Sequence, residues 1–446
     1  MLTAVMTVSF PAAAIGARDF FPQSEMPAAV RERLMNKILG RVRITDPAFD
    51  DYFQRISIEL APEDNYLITT ANIDQVNAFA YFGGCIVIMK GIWKLASNED
   101  GFVGIVAHEM AHVKQDHFRR TKEVQETITA ITIPLLIAGL LSDSSEVRNA
   151  VVSGSAGIIT GQLYAHSREL EHEADVLGLE MMANSGHNGQ YLAELLGKLS
   201  GGGAEYVSTH PAPLRRAAYI KDRLLSSPIR GEKNSLDFLL LKEKLSLSGV
   251  PEDEKNTKQR MLAQATSDKK TALQFALLAL AIKTRDKVLA QSMFDSLQPV
   301  AHPFVVAERA EYLSRLGGNN KQALAILAQA RRDFPESAAL GVRQLIVMRR
   351  ANDYRNLLKT YKAMPKVLRE RSDTLREASQ AAATLKQRGY ANLLLAKAHA
   401  AQGYFELAER QLTIAEKYKM KPNLLLAVST LSKQIKKEIE ILKEKS

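Results

Sequence analysis

Cysteine is almost absent from this chain, whose 446 residues include one cysteine, Cys85, and one tryptophan. A single cysteine excludes a disulfide within the chain, so cysteine usage does not identify the compartment. Cys85 lies in an apolar run, CIVIM, that is typical of a β-strand, which disfavours a role as a catalytic nucleophile. Low-complexity tracts are also missing, and the length indicates two or three folded domains.

Long hydrophobic runs are missing as well. The most apolar internal segment, TITAITIPLLIAGLL (127–141), contains Pro134 and is shorter than the roughly 20 residues of a membrane-spanning helix. We predict a buried or membrane-surface helix there, and so a soluble protein or one with peripheral membrane contact. Residues 1–17 are apolar and uncharged and resemble a secretory signal without its basic leading segment. We expect a signal peptide or its remnant there; a frayed apolar tail is the alternative.

Acidic residues are scarce in the C-terminal part. Residues 251–446 contain 35 Lys and Arg against 20 Asp and Glu, a net charge of +15, whereas residues 1–250 contain 24 against 29, a net charge of −5. The basic residues are dispersed along helical patterns without interleaved aromatic residues, so we expect no nucleic-acid partner. A solvated helical surface explains them, with an acidic protein or an anionic membrane surface as the alternative.

The most informative motif is His-Glu-Met-Ala-His at residues 108–112, within an apolar run (101–120) that predicts a helix. Histidines four residues apart lie on one helical face, so the rings of His108 and His112 can converge on a single ion. Glu109 points close to the same place, where it can take a proton from a water bound to that ion. This spacing is that of zinc metallopeptidases; a chance match on a surface helix is the alternative.

A catalytic zinc site uses three protein ligands, so a third donor is needed. The segment SRELEHEAD (167–175) offers one, because Glu171 and Asp175 are four residues apart on one face of a predicted helix. Glu171 can complete a His₂Glu set, and Asp175 can accept a hydrogen bond from an imidazole and fix its tautomer. A solvated acidic helix face is the alternative, and we assign Glu169 and Glu173 to such a face.

The neighbouring histidines do not fit the metal-facing side. At 100° per residue, a helix that continues past His112 places His117 about 140° away from it. We therefore expect His117 to pack or hydrogen-bond locally, and His172 to point away from the face that carries Glu171.

The elements around the motif follow from composition. Residues 26–60 have helical apolar spacing, and residues 66–70 and 85–89 have the composition of β-strands. Gly83 and Gly84 predict the turn between these two strands.

The C-terminal part repeats with a period of 34 residues, which is the period of tetratricopeptide repeats. Leu289, Ala323 and Leu357 are spaced by 34, and each follows a turn signal. The best copy is GGNNKQALAILAQARRDFP (317–335), and a fourth copy (402–418) lies out of phase. We predict stacked helix pairs that form an α-solenoid with a concave binding surface. A generic helical bundle is the alternative.

These patterns predict a mainly α protein, in which an α+β catalytic domain with a small sheet and a zincin helix precedes an α-solenoid of tetratricopeptide-like repeats. Turn signals and polar composition place the boundary near residues 226–250. We divide the chain into a probable signal peptide or remnant (1–17), a zinc metallopeptidase domain (18–225), a linker (226–250) and a repeat domain (251–446).

Three motifs together resemble a known family. HEMAH (108–112), SRxxExEADxxG (167–178) and THPxxxxR (209–216) are similar to the gluzincin peptidases related to the prenyl-protease and heat-shock-induced membrane protease families. Within this group the chain most resembles the soluble branch with C-terminal tetratricopeptide repeats, whose best-known type is periplasmic. The motifs span roughly residues 70–220, and in combination they are specific.

The resemblance implies one Zn²⁺ per chain, held by His108, His112 and Glu171, with Glu109 as the general base. His210 matches the downstream histidine of the family. The resemblance implies that it either occupies the fourth zinc position in a resting enzyme or donates to the tetrahedral oxyanion during turnover.

The resemblance assigns further roles. Asp175 matches the second acidic position, and Arg216 is expected to anchor or stabilise charge, or to serve the structure alone. Asn77-Ala78-Phe79 and Gly83-Gly84 look like a conserved element of the family. By the same resemblance, the strand around Ile86–Ile88 is expected to lie along the cleft as an edge and pair with the substrate backbone.

The expected function is zinc-dependent endopeptidase activity on misfolded or misassembled proteins, by resemblance outer-membrane proteins in the periplasm. The repeat domain is expected to recruit substrates or outer-membrane assembly machinery. The alternative is a chaperone or assembly scaffold whose protease site is largely autoinhibited. A third reading is a membrane-surface protease that makes its peripheral contact through residues 127–141.

Overall fold

The computed structural model of the chain describes residues 28–117, 168–225, 231–247 and 249–444. The predicted signal (1–17) and the apolar segment (127–141) lie outside the described residues. Within the described part, none of the helices combines the length and the apolar character needed to cross a bilayer. The fold is mainly α with a small sheet, as the sequence predicts.

Among the described residues, three strands form one sheet in the order β1-β3-β2, namely β1 (Leu67–Ala71), β2 (Ala78–Tyr81) and β3 (Cys85–Met89). The two predicted strands are thereby confirmed to within a residue. β3 pairs in parallel with β1 and antiparallel with β2.

Two expectations about the sheet are wrong. Gly83 and Gly84, with φ of 73° and 77°, form the turn between β2 and β3, not between β1 and β3. The strand around Ile86–Ile88 is the centre of the sheet and not an edge. Its continuous apolar run is the reason, because Cys85 to Ile88 are buried on both faces, which a strand flanked by two partners requires.

The predicted helix over 26–60 is two helices, α1 (Ala28–Leu39) and α2 (Pro47–Leu60). Gly40 has a φ of 48°, which ends α1. Pro47 then starts α2, and the Asp46 side chain accepts a hydrogen bond from the Ala48 N–H as its cap.

The motif helix is α4 (Glu99–Lys114), which follows α3 (Lys90–Leu95). The Asn98 side chain caps its start by accepting from the Gly101 N–H. Every residue of α4 from Glu99 to His112 is buried, so the helix runs through the core.

Four further helices complete this part of the chain, namely α5 (Arg168–Asn184), α6 (Gln190–Gly202), α7 (Ala204–Thr209) and α8 (Pro213–Arg223). Helix α5 packs closely on α4 because Gly178 has no side chain. A Cβ on Gly178 would lie 3.2 Å from the His108 backbone nitrogen, so the two helix backbones nearly touch there.

The predicted linker (226–250) contains a helix, α9 (Leu236–Leu245), capped by the Ser235 side chain. Phe238 on α9 is fully buried and stacks on Trp93, with ring centroids 5.7 Å apart. One hydrophobic cluster continues from α2 through α9 into the C-terminal helices. The division into domains therefore remains a prediction, with this helix inside the core.

Helices follow one another in the C-terminal part, and their bounds are α10 (Pro251–Gln264), α11 (Ser267–Thr284), α12 (Lys287–Ser296), α13 (Pro303–Arg315), α14 (Asn320–Asp333), α15 (Ala338–Arg350), α16 (Tyr354–Ala363), α17 (Lys366–Arg369), α18 (Ser372–Thr384), α19 (Arg388–Ala401), α20 (Phe405–Glu416) and α21 (Pro422–Glu444). Leu289, Ala323 and Leu357 are buried in the first turns of α12, α14 and α16. The 34-residue period thus recurs as helix position; the assignment to tetratricopeptide repeats stays a prediction.

The C-terminal helices also contact the first helices of the chain. The Asp51 carboxylate on α2 accepts hydrogen bonds from the N–H groups of Ala338 and Ala339, at 2.8 and 3.0 Å, and from the Ser337 hydroxyl at 2.9 Å. A carboxylate at this position caps the start of α15. Burial raises the pKa of Asp51 to about 6, despite these hydrogen bonds, which lower it.

Candidate metal centre

The structure brings together four metal-donor side chains that are distant in sequence. Among the described residues, His108, His112, Glu171 and His210 each offer a ligand atom, and these atoms all lie within 4.8 Å of one another. Helix α4 supplies the first two, α5 supplies Glu171, and His210 follows directly after α7. All four side chains are buried.

The distances within this group suit a zinc ion. His108 Nε2 lies 3.0 Å from His112 Nε2 and 3.4 Å from Glu171 Oε2, and His112 Nε2 lies 3.2 Å from Glu171 Oε1. Zinc bonds of 2.0–2.2 Å in tetrahedral geometry separate their donor atoms by about 3.3 Å. The residues present therefore fit the ion that the motif predicts.

Glu109 lies beside the donor group with its carboxylate buried. Neither of its oxygens has a hydrogen-bond partner in the described part of the chain, and Oε1 lies 3.4 Å from His210 Nε2. Burying a carboxylate that accepts no hydrogen bond costs free energy of folding. Such a carboxylate therefore indicates that a polar ligand binds beside it. This position is compatible with the predicted role of Glu109 as a general base.

Asp175 supports the first histidine. Its Oδ1 lies 3.1 Å from His108 Nδ1, so the imidazole proton is assigned to Nδ1 and donated to the carboxylate. Nε2 of His108 is then free to bind a metal. This is the arrangement in which the hydrogen bond of a ligand histidine fixes its tautomer.

Arg216 joins the two carboxylates. Its Nε and Nη2 donate to the two oxygens of Asp175 at 2.8 and 2.7 Å, and its Nη1 donates to Glu171 Oε2 at 2.5 Å. Arg216 is itself buried on α8. The planar guanidinium therefore fixes Glu171 and Asp175 relative to each other.

Charges in the site shift several pKa values. Burial raises the pKa of Glu171, but Arg216 and His210 outweigh it and hold that pKa well below its ordinary value. Burial and Arg216 lower the pKa of His108, but Glu171 and the hydrogen bond to Asp175 raise it, to about 9 overall. The local potential thus favours positive charge next to the His108 ring.

His210 lies across the donor group. It directly follows α7, and its ring stacks on Tyr206 with centroids 4.4 Å apart. Its Nδ1 lies 3.0 Å from Glu171 Oε1 and 3.4 Å from His108 Nε2. Both predicted roles, fourth ligand and donor to the substrate, are compatible with this position.

Two residues that the sequence predictions set aside also reach the site. His117 Nδ1 lies 2.8 Å from His112 Nδ1, and His117 Nε2 lies 3.3 Å from Glu173 Oε2. The prediction continued the helix through residue 117, whereas α4 ends at Lys114. The available signal was a histidine five residues after the motif together with an acidic residue between the two carboxylates of α5.

The strand next to α4 is β2. It packs along α4, and within the described residues it lies at an edge of the sheet. Asn77 precedes β2, where its side chain accepts a hydrogen bond from the Ala78 N–H and its carbonyl accepts one from Met89. The predicted Asn-Ala-Phe element therefore builds the edge strand itself.

Comparison with known proteins agrees with the geometry. Residues 50–224, which include all of the site residues, match the model of peptidase family M48. The chain is 28% identical to the beta-barrel assembly-enhancing protease of Yersinia pestis over 226 residues, 47% of this chain and 46% of that protein. It is 28% identical to the Escherichia coli K12 protein of the same name over 212 residues, 45% of this chain and 44% of that protein.

A mitochondrial protein is also similar. The chain is 26% identical to the mitochondrial metalloendopeptidase OMA1 of Schizosaccharomyces pombe over 162 residues, 35% of this chain and 46% of that protein. The chain spans less than half the length of each of these three relatives.

Proposed function

We propose that the chain is a zinc-dependent endopeptidase, because residues 50–224 match the model of peptidase family M48 and the chain is similar to the beta-barrel assembly-enhancing proteases. The observation that carries the proposal is the buried group of His108, His112 and Glu171 with the Glu109 carboxylate beside it, which accepts no hydrogen bond from the described residues. Two imidazoles, one carboxylate ligand and one carboxylate that does not bind the metal are the set that peptide hydrolysis with zinc requires.

The side chains divide the work as follows. His108, His112 and Glu171 would hold the zinc ion. When bound, zinc acts as a Lewis acid, which lowers the pKa of a water toward about 7 and polarises the scissile carbonyl. Glu109 takes the proton of the attacking water and passes it to the leaving amine, so that one carboxylate serves first as base and then as acid. Arg216 and Asp175 hold the ligands in place.

Substrates are proposed to be protein segments that can extend. Strand β2 supports this proposal, because it is an outer strand of the three that the described residues form and it packs along α4. An extended segment that pairs with such an edge is bound mainly through its backbone, which gives little sequence preference. β2 replaces β3 as the proposed pairing strand.

The biological role is proposed from the named relatives. Because two of them are called beta-barrel assembly-enhancing proteases, we propose misassembled outer-membrane proteins as substrates and the periplasm as the location. The C-terminal helices would recruit substrates or the outer-membrane assembly machinery. Contact with the membrane surface through residues 127–141 is the alternative for the location.

The direct test is Glu109→Gln. This change is expected to lower cleavage of an unfolded protein by about 10²-fold or more while one zinc per chain stays bound. Glu180→Gln, at an exposed position on α5, is the matched control and should keep full activity. Retained cleavage in Glu109→Gln would remove the proposed base, and a parent protein without stoichiometric zinc would remove the proposed enzyme class.

A second candidate function is a chaperone or assembly scaffold with a largely closed protease site. The position of His210 favours it, because the ring lies within 3.4 Å of both Glu109 and His108 and is buried. The variant His210→Ala separates the cases. A strong rise in cleavage indicates an inhibited protease, and a strong fall indicates that His210 donates to the oxyanion. Unchanged cleavage contradicts both roles.

A further inference from the structure

A two-residue turn directly follows helix α4, which carries the two proposed zinc ligands His108 and His112. Helix α4 ends at Lys114, where the Gln115 N–H still donates to the Ala111 carbonyl at 3.0 Å. Asp116 then adopts a left-handed conformation with a φ of 54°. This conformation is unfavourable for residues other than glycine, though Asp tolerates it better than most. The turn brings His117, which is fully buried, back beside His112.

The contact between the two rings has one consistent proton assignment. Nε2 of His112 faces Glu171 at 3.2 Å and must be unprotonated to bind a metal, so its proton is on Nδ1. Nδ1 of His112 then donates to Nδ1 of His117 at 2.8 Å. The proton of His117 is consequently on Nε2, which donates to Glu173 Oε2 at 3.3 Å.

We propose that His117 and Glu173 are positioning residues that orient the zinc ligand His112 through this pair of hydrogen bonds. The inference rests on the proposed zinc site. Nothing in it requires contact between His117 or Glu173 and the metal or the substrate. A carboxylate at the end of the relay raises the basicity of His112 and fixes its ring angle, which is the general effect of such partners.

The two ligand histidines are then supported in different ways. His108 donates directly to the buried carboxylate of Asp175. His112 reaches a carboxylate through an intervening imidazole, and the side chain of Glu173 is 39% exposed. The carboxylate that supports His112 is therefore partly exposed to solvent, whereas the carboxylate that supports His108 is buried.

The test measures zinc binding in the full chain. His117→Phe keeps a ring of similar size but removes the acceptor for His112, and it is expected to weaken zinc affinity by about 10–100-fold in competition with a chelator. The visible absorption bands of the cobalt-substituted protein are expected to shift, because the geometry at His112 changes. His117→Gln, which retains an acceptor and a donor, is expected to recover most of the affinity.

Two controls separate positioning from packing. His172→Gln changes an exposed histidine one residue from Glu171 and should leave zinc affinity and the cobalt spectrum unchanged. Unfolding of the metal-free variants measures any purely structural loss, which would lower stability without metal and leave the cobalt bands in place. Where His117→Phe does not fold, Glu173→Gln, at the half-exposed end of the relay, carries the same test with an expected loss of up to about tenfold.

The measured zinc affinities distinguish a failure of the His117–Glu173 proposal from a failure of the proposed enzyme function. A parent protein that binds one zinc, with zinc affinity in His117→Phe and Glu173→Gln within twofold of the parent, overturns the relay and leaves the protease intact. A parent protein that binds no zinc overturns the enzyme proposal itself.

Discussion

The close approach of α5 to α4 at Gly178 can be tested by adding a single methyl group. In Gly178→Ala the new Cβ would lie 3.2 Å from the His108 nitrogen and 3.3 Å from both the His108 Cα and the Ala107 carbonyl carbon. These are backbone atoms of a fully buried helix, so they cannot rotate away as a side chain would. The strain must be relieved by moving α5, and with it Glu171, away from α4.

The magnitude follows from two opposing effects. Replacing glycine by alanine in a helix interior stabilises by about 0.5–1 kcal/mol. Overpacking in a well-packed core costs about 1–3 kcal/mol. Gly197→Ala provides the first effect alone, because it lies within α6 and its Cβ would meet no atom within 4 Å. The difference in unfolding free energy between the two variants is therefore expected to be about 1–3 kcal/mol, with Gly178→Ala the less stable.

Urea unfolding of both variants, with and without zinc, measures this difference, and cleavage of an unfolded protein measures its effect on the site. A displacement of Glu171 by a few tenths of an ångström is expected to lower activity by about tenfold in Gly178→Ala and not at all in Gly197→Ala. If Gly178→Ala is as stable and as active as Gly197→Ala, the close packing of α5 on α4 does not position the third ligand, and the reasoning is refuted.

Three further changes test other parts of the structure. Arg216→Lys keeps the charge but loses the planar guanidinium that joins the carboxylates of Asp175 and Glu171. It is expected to weaken zinc affinity at least tenfold in competition with a chelator, whereas Arg215→Lys, at an exposed position, should leave zinc affinity unchanged. The pKa of Asp51, about 6, lies above that of an unfolded aspartate, about 3.9. The protonated carboxyl therefore stabilises the folded state at low pH, and this contribution is lost as pH rises between these values. Urea titrations from pH 4 to 7 should show the parent losing up to about 3 kcal/mol of unfolding free energy relative to Asp51→Asn, and parallel pH profiles of the two proteins would contradict this. Phe238→Ala is expected to cost about 3–5 kcal/mol in thermal or urea unfolding, against less than about 0.5 kcal/mol for the exposed Leu225→Ala; a small effect would indicate that α9 is a loosely attached linker.

Local patterns predicted the parts of the molecule that depend on spacing along one element. His108 and His112 are four residues apart on one helix, and so are Glu171 and Asp175. Each pair therefore shares a helical face, whatever the position of the helix in the fold. Strand β3 was recognisable because five consecutive apolar residues with β-type composition have few other structures available. These predictions needed no knowledge of what lies across the core.

Contacts between distant elements were not predictable in the same way. The central position of β3 depends on its parallel pairing with β1, although β2 lies between these two strands in the sequence. Strand β2 has only four residues, too few to show a clear alternation of apolar and polar side chains. Helix α9 was missed because polar residues and turn signals surround its buried face. The approach of His117 to His112 depends on Asp116 leaving the helix, and no glycine or proline marks that point.

The chain length that separates the site residues sets the order in which the site can form during synthesis. His210 hydrogen-bonds within the site across 102 positions from His108, and Arg216 across 108. A ribosome or secretion pore releases the two histidines of α4 long before these later residues. A polypeptide truncated before residue 210 therefore contains the signature motif without His210 and Arg216, so the complete group of site side chains can assemble only after this late segment has emerged and folded.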